Sequence, residues 1–80
     1  MKQFNLDEYH KFPSRKIVTR DGREARILCT DAEGSYPIVA LIEGKSEENS
    51  IPDAFTRHGH WNMLVKEHPN DLFFADKFVE

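Results

Sequence analysis

VTRDGREARIL (18–28) and FTRHGHWNMLV (55–65) are the two stretches on which the fold of this chain turns. In the first, Asp21-Gly22 separates two runs of strand-forming residues, a pair that favours a two-residue hairpin loop. That loop predicts strands over 17–20 and 23–30 and pairs Arg20 with Arg23. Ala25, Ile27 and Cys29 then alternate with Arg26, Leu28 and Thr30, a period of two. The second stretch overlays on the first: Thr56-Arg57-His58-Gly59-His60 falls on Thr19-Arg20-Asp21-Gly22-Arg23, and Leu64-Val65 falls on Ile27-Leu28. The segments after the two stretches match as well. DAEGS (31–35) leads into the apolar run YPIVALI (36–42), and HPND (68–71) leads into LFF (72–74). The pattern predicts two copies of a hairpin plus third strand, one over 16–44 and one over 51–76.

Outside the two copies the chain offers one helix start. Asn5 can cap, Asp7 and Glu8 suit the positive end of a helix dipole, and Pro13 forces an early stop. These signals predict a helix over 5–11, with Phe4, Leu6, Tyr9 and Phe12 placed to lie on a sheet. YPIVALI is apolar on both alternating faces, as a covered central strand would be. EGKSEENS (43–50) is the most polar stretch and reads as a loop, and Pro52 marks its strand as an edge. The expected fold is mainly β: about six short antiparallel strands in a meander, forming a small roll or partly open barrel with a short N-terminal helix. All of 1–80 belongs to one domain. The expected core is Val18, Ala25, Ile27, Cys29, Ile38, Ala40, Ile42, Phe55, Leu64, Leu72 and Phe74.

Composition narrows the functional classes. At 80 residues, 39% hydrophobic and 31% charged, the chain has the profile of a small globular domain with little core to spare. No apolar run is long enough to span a membrane, and acids occupy the N-terminus where a signal peptide needs an apolar stretch. One cysteine leaves no internal disulfide, which favours a reducing, cytoplasmic location. Net charge is −3, with seven cations against four acids over 1–30 and four against ten over 31–80. Any nucleic-acid contact must therefore be local.

The candidate sites are few. His58 and His60 invite a metal reading, but zinc needs three or four ligands, and Cys29 and His68 stand at no finger or ribbon spacing. A two-residue loop at 58–59 would also set His60 opposite Arg57 and place His58 at positive φ. We expect no metal, cofactor or catalytic residue, since no nucleophile elbow, phosphate loop or paired-carboxylate motif is present. Five of the eleven cations fall within 15–26. Lys16, Arg20 and Arg23 form the candidate nucleic-acid contact, although Arg26 and Glu24 break the stripe. Cys29 continues the Ala25-Ile27 face as a small buried hydrophobe. Trp61 and Phe73 are the candidate interface residues, because Phe73 and Phe74 must face opposite sides of a strand and Trp61 stands where the first copy has Glu24.

VTRDGREARILCTD (18–31), YPIVALIEG (36–44), the Thr56-to-Gly59 turn and DLFF (71–74) together resemble a group of small uncharacterised proteins from gut bacteria and phages. The likeness spans about Phe4 to Phe74 and implies a bacterial or phage origin and a cytoplasmic location. It brings no assigned activity, so no site residue is carried over. This chain departs from the group in holding His58 where an acidic or polar residue usually precedes the turn glycine. The expected function is a non-catalytic protein-interaction module, docking a protein partner or its own copy through a strand edge or an apolar sheet face. Weak nucleic-acid binding through the first hairpin is the alternative.

Overall fold

A computed structural model describes residues 2–43 and 52–75; most of the polar loop expected at 43–50 lies outside them. Asn5 caps as expected. Held in extended backbone, its side chain accepts a hydrogen bond from the Glu8 amide at 3.1 Å, and helix α1 runs Leu6–Lys11. Its acids sit in the first turn and His10 and Lys11 in the last, each end matched to the dipole. The Leu6 amide, an orphan donor of the first turn, is satisfied from outside the helix by the Arg57 carbonyl at 3.0 Å.

The strands β1 (Lys2–Gln3), β2 (Ile17–Thr19), β3 (Glu24–Cys29), β4 (Ile38–Ile42), β5 (Pro52–Phe55) and β6 (Leu72–Phe74) form one open antiparallel sheet. The protein is therefore mainly β, with six antiparallel strands and one short N-terminal helix. Strand order is β1-β6-β2-β3-β4-β5, a meander from β2 to β5 with β6 returning to lie between β1 and β2. β1 and β5 stay at opposite edges rather than curling together. Pro52 begins an edge strand, where the missing N–H breaks no ladder.

The first copy of the repeat forms β2, β3 and β4 as neighbours, but the second does not form a three-stranded unit. Residues 56–71 contribute no strand, and β5 and β6 are separated by three other strands. The physical reason lies just past His60. The Trp61 amide donates to the Asp71 side chain at 2.8 Å, and the Leu64 amide to the Asn62 side chain at 2.8 Å. Side-chain acceptors thus capture the donors that a hairpin arm would need.

The register of the first hairpin differs from expectation by one residue. Ile17 pairs with Ala25 and Val18 with Glu24, so the loop holds three residues, 20–22, and Arg20 does not oppose Arg23. A one-residue slip exchanges the faces of a strand. Ile17 consequently joins the core, while Val18 turns to the other face, opposite Glu24 on one side and Phe73 on the other.

The core lies on the face that α1 covers: Phe4, Leu6, Ile17, Ile38, Ala40, Ile42, Phe55, Leu72 and Phe74, with Tyr9, Ala25, Ile27 and Trp61 packed against it. The Phe4 and Phe74 rings stack at 5.2 Å between centroids. Leu64 stands outside it, 88% exposed, because the arm meant to bury it is absent. Cys29 is only half-buried. A bulge between Ile27 and Cys29 sets it opposite Val39 instead of continuing the Ala25-Ile27 face.

Candidate functional site

The overlay of TRDGR on TRHGH holds at the level of individual hydrogen bonds. In the first turn the Thr19 amide donates to the Arg23 carbonyl at 2.8 Å, and the Gly22 amide donates to the Thr19 carbonyl at 2.9 Å. In the second, Thr56 and His60 are joined at 3.0 Å, and Gly59 and Thr56 at 2.9 Å. Each threonine hydroxyl also accepts the amide that closes its turn, Arg23 at 3.0 Å in the first and His60 at 3.1 Å in the second, and the Thr56 hydroxyl accepts the His58 amide at 3.3 Å besides. Each turn ends on a glycine at positive φ, 90° for Gly22 and 78° for Gly59. This is a three-residue loop, a type I turn closed by a left-handed glycine. His58 accordingly stays at negative φ, and His60 opposes Thr56 rather than Arg57.

Asp71, with no solvent exposure, ties the two turns together. Its carboxylate accepts from the Trp61 amide at 2.8 Å, the His68 amide at 3.0 Å and the Arg20 guanidinium at 3.1 Å. Its carbonyl accepts from the Arg20 amide at 2.8 Å, and beside it the Leu72 amide donates to the Gly59 carbonyl at 2.8 Å. Desolvation pushes the Asp71 carboxyl up. The two amides, Arg20 and the neighbouring His60 outweigh it and hold the carboxyl below its ordinary range. Asp71 was legible only as a turn residue of HPND, because nothing in the local pattern marks it as buried.

The cations predicted for nucleic acid do not share one patch of free charge. Arg20 pairs with Asp71, Arg23 with Asp21 at 2.9 Å and with the Asn70 side chain, and Lys16 with Glu24 at 3.0 Å. Trp61 is half-buried, packs on the core and stacks on His68, the rings 3.9 Å apart and 12° from parallel. Phe73 lies half-exposed on the opposite sheet face, with the Arg20 guanidinium 4.9 Å above its ring.

Two surfaces stand out. The first is the sheet face away from α1. Register and alternation place Leu28, Val39, Leu41, Pro52, Ala54, Val18 and Phe73 there, and of these Val18 alone is buried. Leu28 is 48% exposed, and Arg26, on the same face, has no ion-pair partner among the described residues. The second is a cavity of about 310 Å³ at the second turn, lined by Ser35, Thr56, Arg57, His58, His60 and Met63. His58 and His60 both reach it, although among the described residues no three His, Cys, Asp or Glu side chains are grouped to hold a metal ion. The His60 Nδ1 is buried and lies 3.8 Å from Asp71, beyond hydrogen-bond length. Among the described residues no helix is long and apolar enough to cross a membrane.

No family model, curated protein or solved structure matches the chain.

Proposed function

We propose that this chain is a non-catalytic protein-interaction module that docks through the open face of its sheet. The observation that carries the reading is the one-sided construction of the domain. α1 and the large aromatics cover one face, while β3, β4 and β5 present Leu28, Val39, Leu41 and Ala54 half-exposed or exposed on the other. A sheet with one apolar face left open is normally completed by a second layer. Contiguous apolar surface of that kind marks interaction sites. Glu24 and Arg26 on the same face would give such a contact polar rim contacts of both signs. The nucleic-acid alternative draws less support, since Lys16, Arg20 and Arg23 each share an acid and so offer phosphate less free charge.

The test is site-specific photocrosslinking in the native host. A benzoylphenylalanine at Leu28 or Leu41 should trap one discrete protein species, and the same group at the exposed turn residue Glu33 should not. Glutamate at whichever of Leu28 and Leu41 does not carry the crosslinker should abolish that species while leaving the circular dichroism spectrum unchanged. Adducts no more discrete from the face than from Glu33, with a purified chain that stays monomeric at high concentration, would refute the reading.

A further inference from the structure

We infer that the cavity at the second turn is a second docking site, one that takes an apolar side chain flanked by a carboxylate from an acidic peptide segment. It lies at the end of the sheet where β4 begins and β5 finishes, apart from the open face, so it stands or falls separately. Four observations combine. The cavity is a shallow hollow, largely open to solvent, of about 310 Å³, with room for one side chain to lie against a mainly apolar wall that includes Met63, a residue that adapts its shape to what it meets. Among the described residues no carboxylate lines it, whereas Arg57, His58, His60, Ser35 and Thr56 all do. The Thr56 oxygen already accepts the His58 and His60 amides at 3.3 and 3.1 Å, which leaves its hydroxyl proton to be donated elsewhere. Finally, the imidazole of His58 has no partner among the described residues. Among the described residues the Arg57 guanidinium is held only by a 3.4 Å contact to Asp7, and both those side chains are largely exposed.

The charge pattern selects the ligand. A surface of donors around an apolar wall stabilises an anion-bearing apolar group and opposes a cationic one. An exposed Arg57–Asp7 pair is worth little in water, so exchanging Asp7 for a ligand carboxylate costs little. The backbone of the site is preorganised: the Thr56 turn fixes His58 to His60, Gln3 donates to the His58 carbonyl, and the Met63 amide donates to the Tyr36 hydroxyl at 3.1 Å.

Three capped peptides test this by amide and imidazole NMR titration: acetyl-Glu-Leu-Leu-Glu-amide and its counterparts with glutamine or lysine in place of both glutamates. The glutamate peptide should give saturable shifts confined to 56–63 and Ser35. The glutamine peptide should bind about fivefold more weakly and the lysine peptide about tenfold, the difference shrinking as salt screens the charges. Arg57→Gln, at an exposed position, should reduce the preference for glutamate over glutamine, and Met63→Ala should weaken both peptides alike. Equal binding of all three peptides, no saturation, or shifts centred on Leu28 and Leu41 would each overturn the assignment. So would an oligothymidylate that shifts the same amides more strongly than the glutamate peptide, since the occupant would then be nucleic acid. Crosslinking from the open face is unaffected by any of these outcomes.

Discussion

The two matched turns predict that one substitution, glycine to alanine, has two different costs. Gly22 and Gly59 occupy equivalent positions at φ 90° and 78°, so alanine at either meets the left-handed penalty of about 1–2 kcal/mol. The narrower unfolded ensemble of alanine returns about 0.5 kcal/mol of that. At Gly22 nothing lies within 4 Å of an added Cβ, so the net loss should be about 1 kcal/mol. At Gly59 the added atom would sit 2.7 Å from the Phe4 Cβ, 3.0 Å from the Leu72 Cβ and 3.1 Å from the Leu72 carbonyl oxygen. Those contacts are backbone-anchored, and relieving them strains the Leu72–Gly59 and Phe4–Leu72 hydrogen bonds that hold β1 and β6 to the turn. Overpacking of this kind adds about 1–3 kcal/mol, for a total of about 2–4. Urea unfolding followed by Trp61 fluorescence reads both. With a slope of about 1 kcal/mol per molar for a domain this small, the midpoint should fall by about 1 M for Gly22→Ala and by about 2–4 M for Gly59→Ala. Gly34→Ala, at φ 91° with open space around it, is the control and should behave like Gly22→Ala. Equal shifts at Gly22 and Gly59, or the larger at Gly22, would refute the packing argument.

Three further outcomes are expected from the same structure. Thr19→Val removes a hydroxyl that accepts the Arg23 amide and donates to Asp21, and Thr56→Val one that accepts the His58 and His60 amides. With two bonds lost in each turn, both should cost a similar amount, about 1 kcal/mol or somewhat more in urea unfolding, unlike the unequal glycine pair. Asp71→Asn strips a buried hub of its charge and should cost about 3 kcal/mol at pH 7. Because the Asp71 carboxyl is held below its ordinary value, its contribution is complete above about pH 4 and fades as pH falls further, so the gap between wild type and variant should narrow on acidification below that point. A gap of unchanged size at about pH 2.5 would show that the charge is not what Asp71 supplies. Leu64→Ser, on a side chain 88% exposed, should change stability by less than about 0.5 kcal/mol, whereas Leu72→Ala, fully buried, should cost about 3.

What the sequence by itself determined was local. The Asn5 cap, the stop before Pro13, the edge position of Pro52, the strand at β4 and the likeness of the two glycine turns all rest on residues close in the chain, whose propensities act without a partner. The expected cover on both faces of β4 does not follow, since Val39 and Leu41 lie half-exposed on the open face. Aspartate-glycine is compatible with both two-residue and three-residue loops, and that ambiguity of one residue was enough to exchange Ile17 and Val18 between faces. The bulge that moved Cys29 off the core face left no mark in the alternation, because an inserted residue shows only against its partner strand. The candidate sites divide along the same line. Phe73 could be placed on a face of its own from strand alternation alone. The partners of Lys16, Arg20 and Arg23 could not be read, nor could the inward packing of Trp61. Arg20 and Trp61 depend on Asp71, which is 51 residues from one and 10 from the other. The open sheet, the insertion of β6 between β1 and β2, and the cavity beside Met63 were likewise decided only in three dimensions. Each is a pairing between distant segments, and a buried carboxylate competing for backbone donors overrode the strand that the repeat had written into residues 60–65.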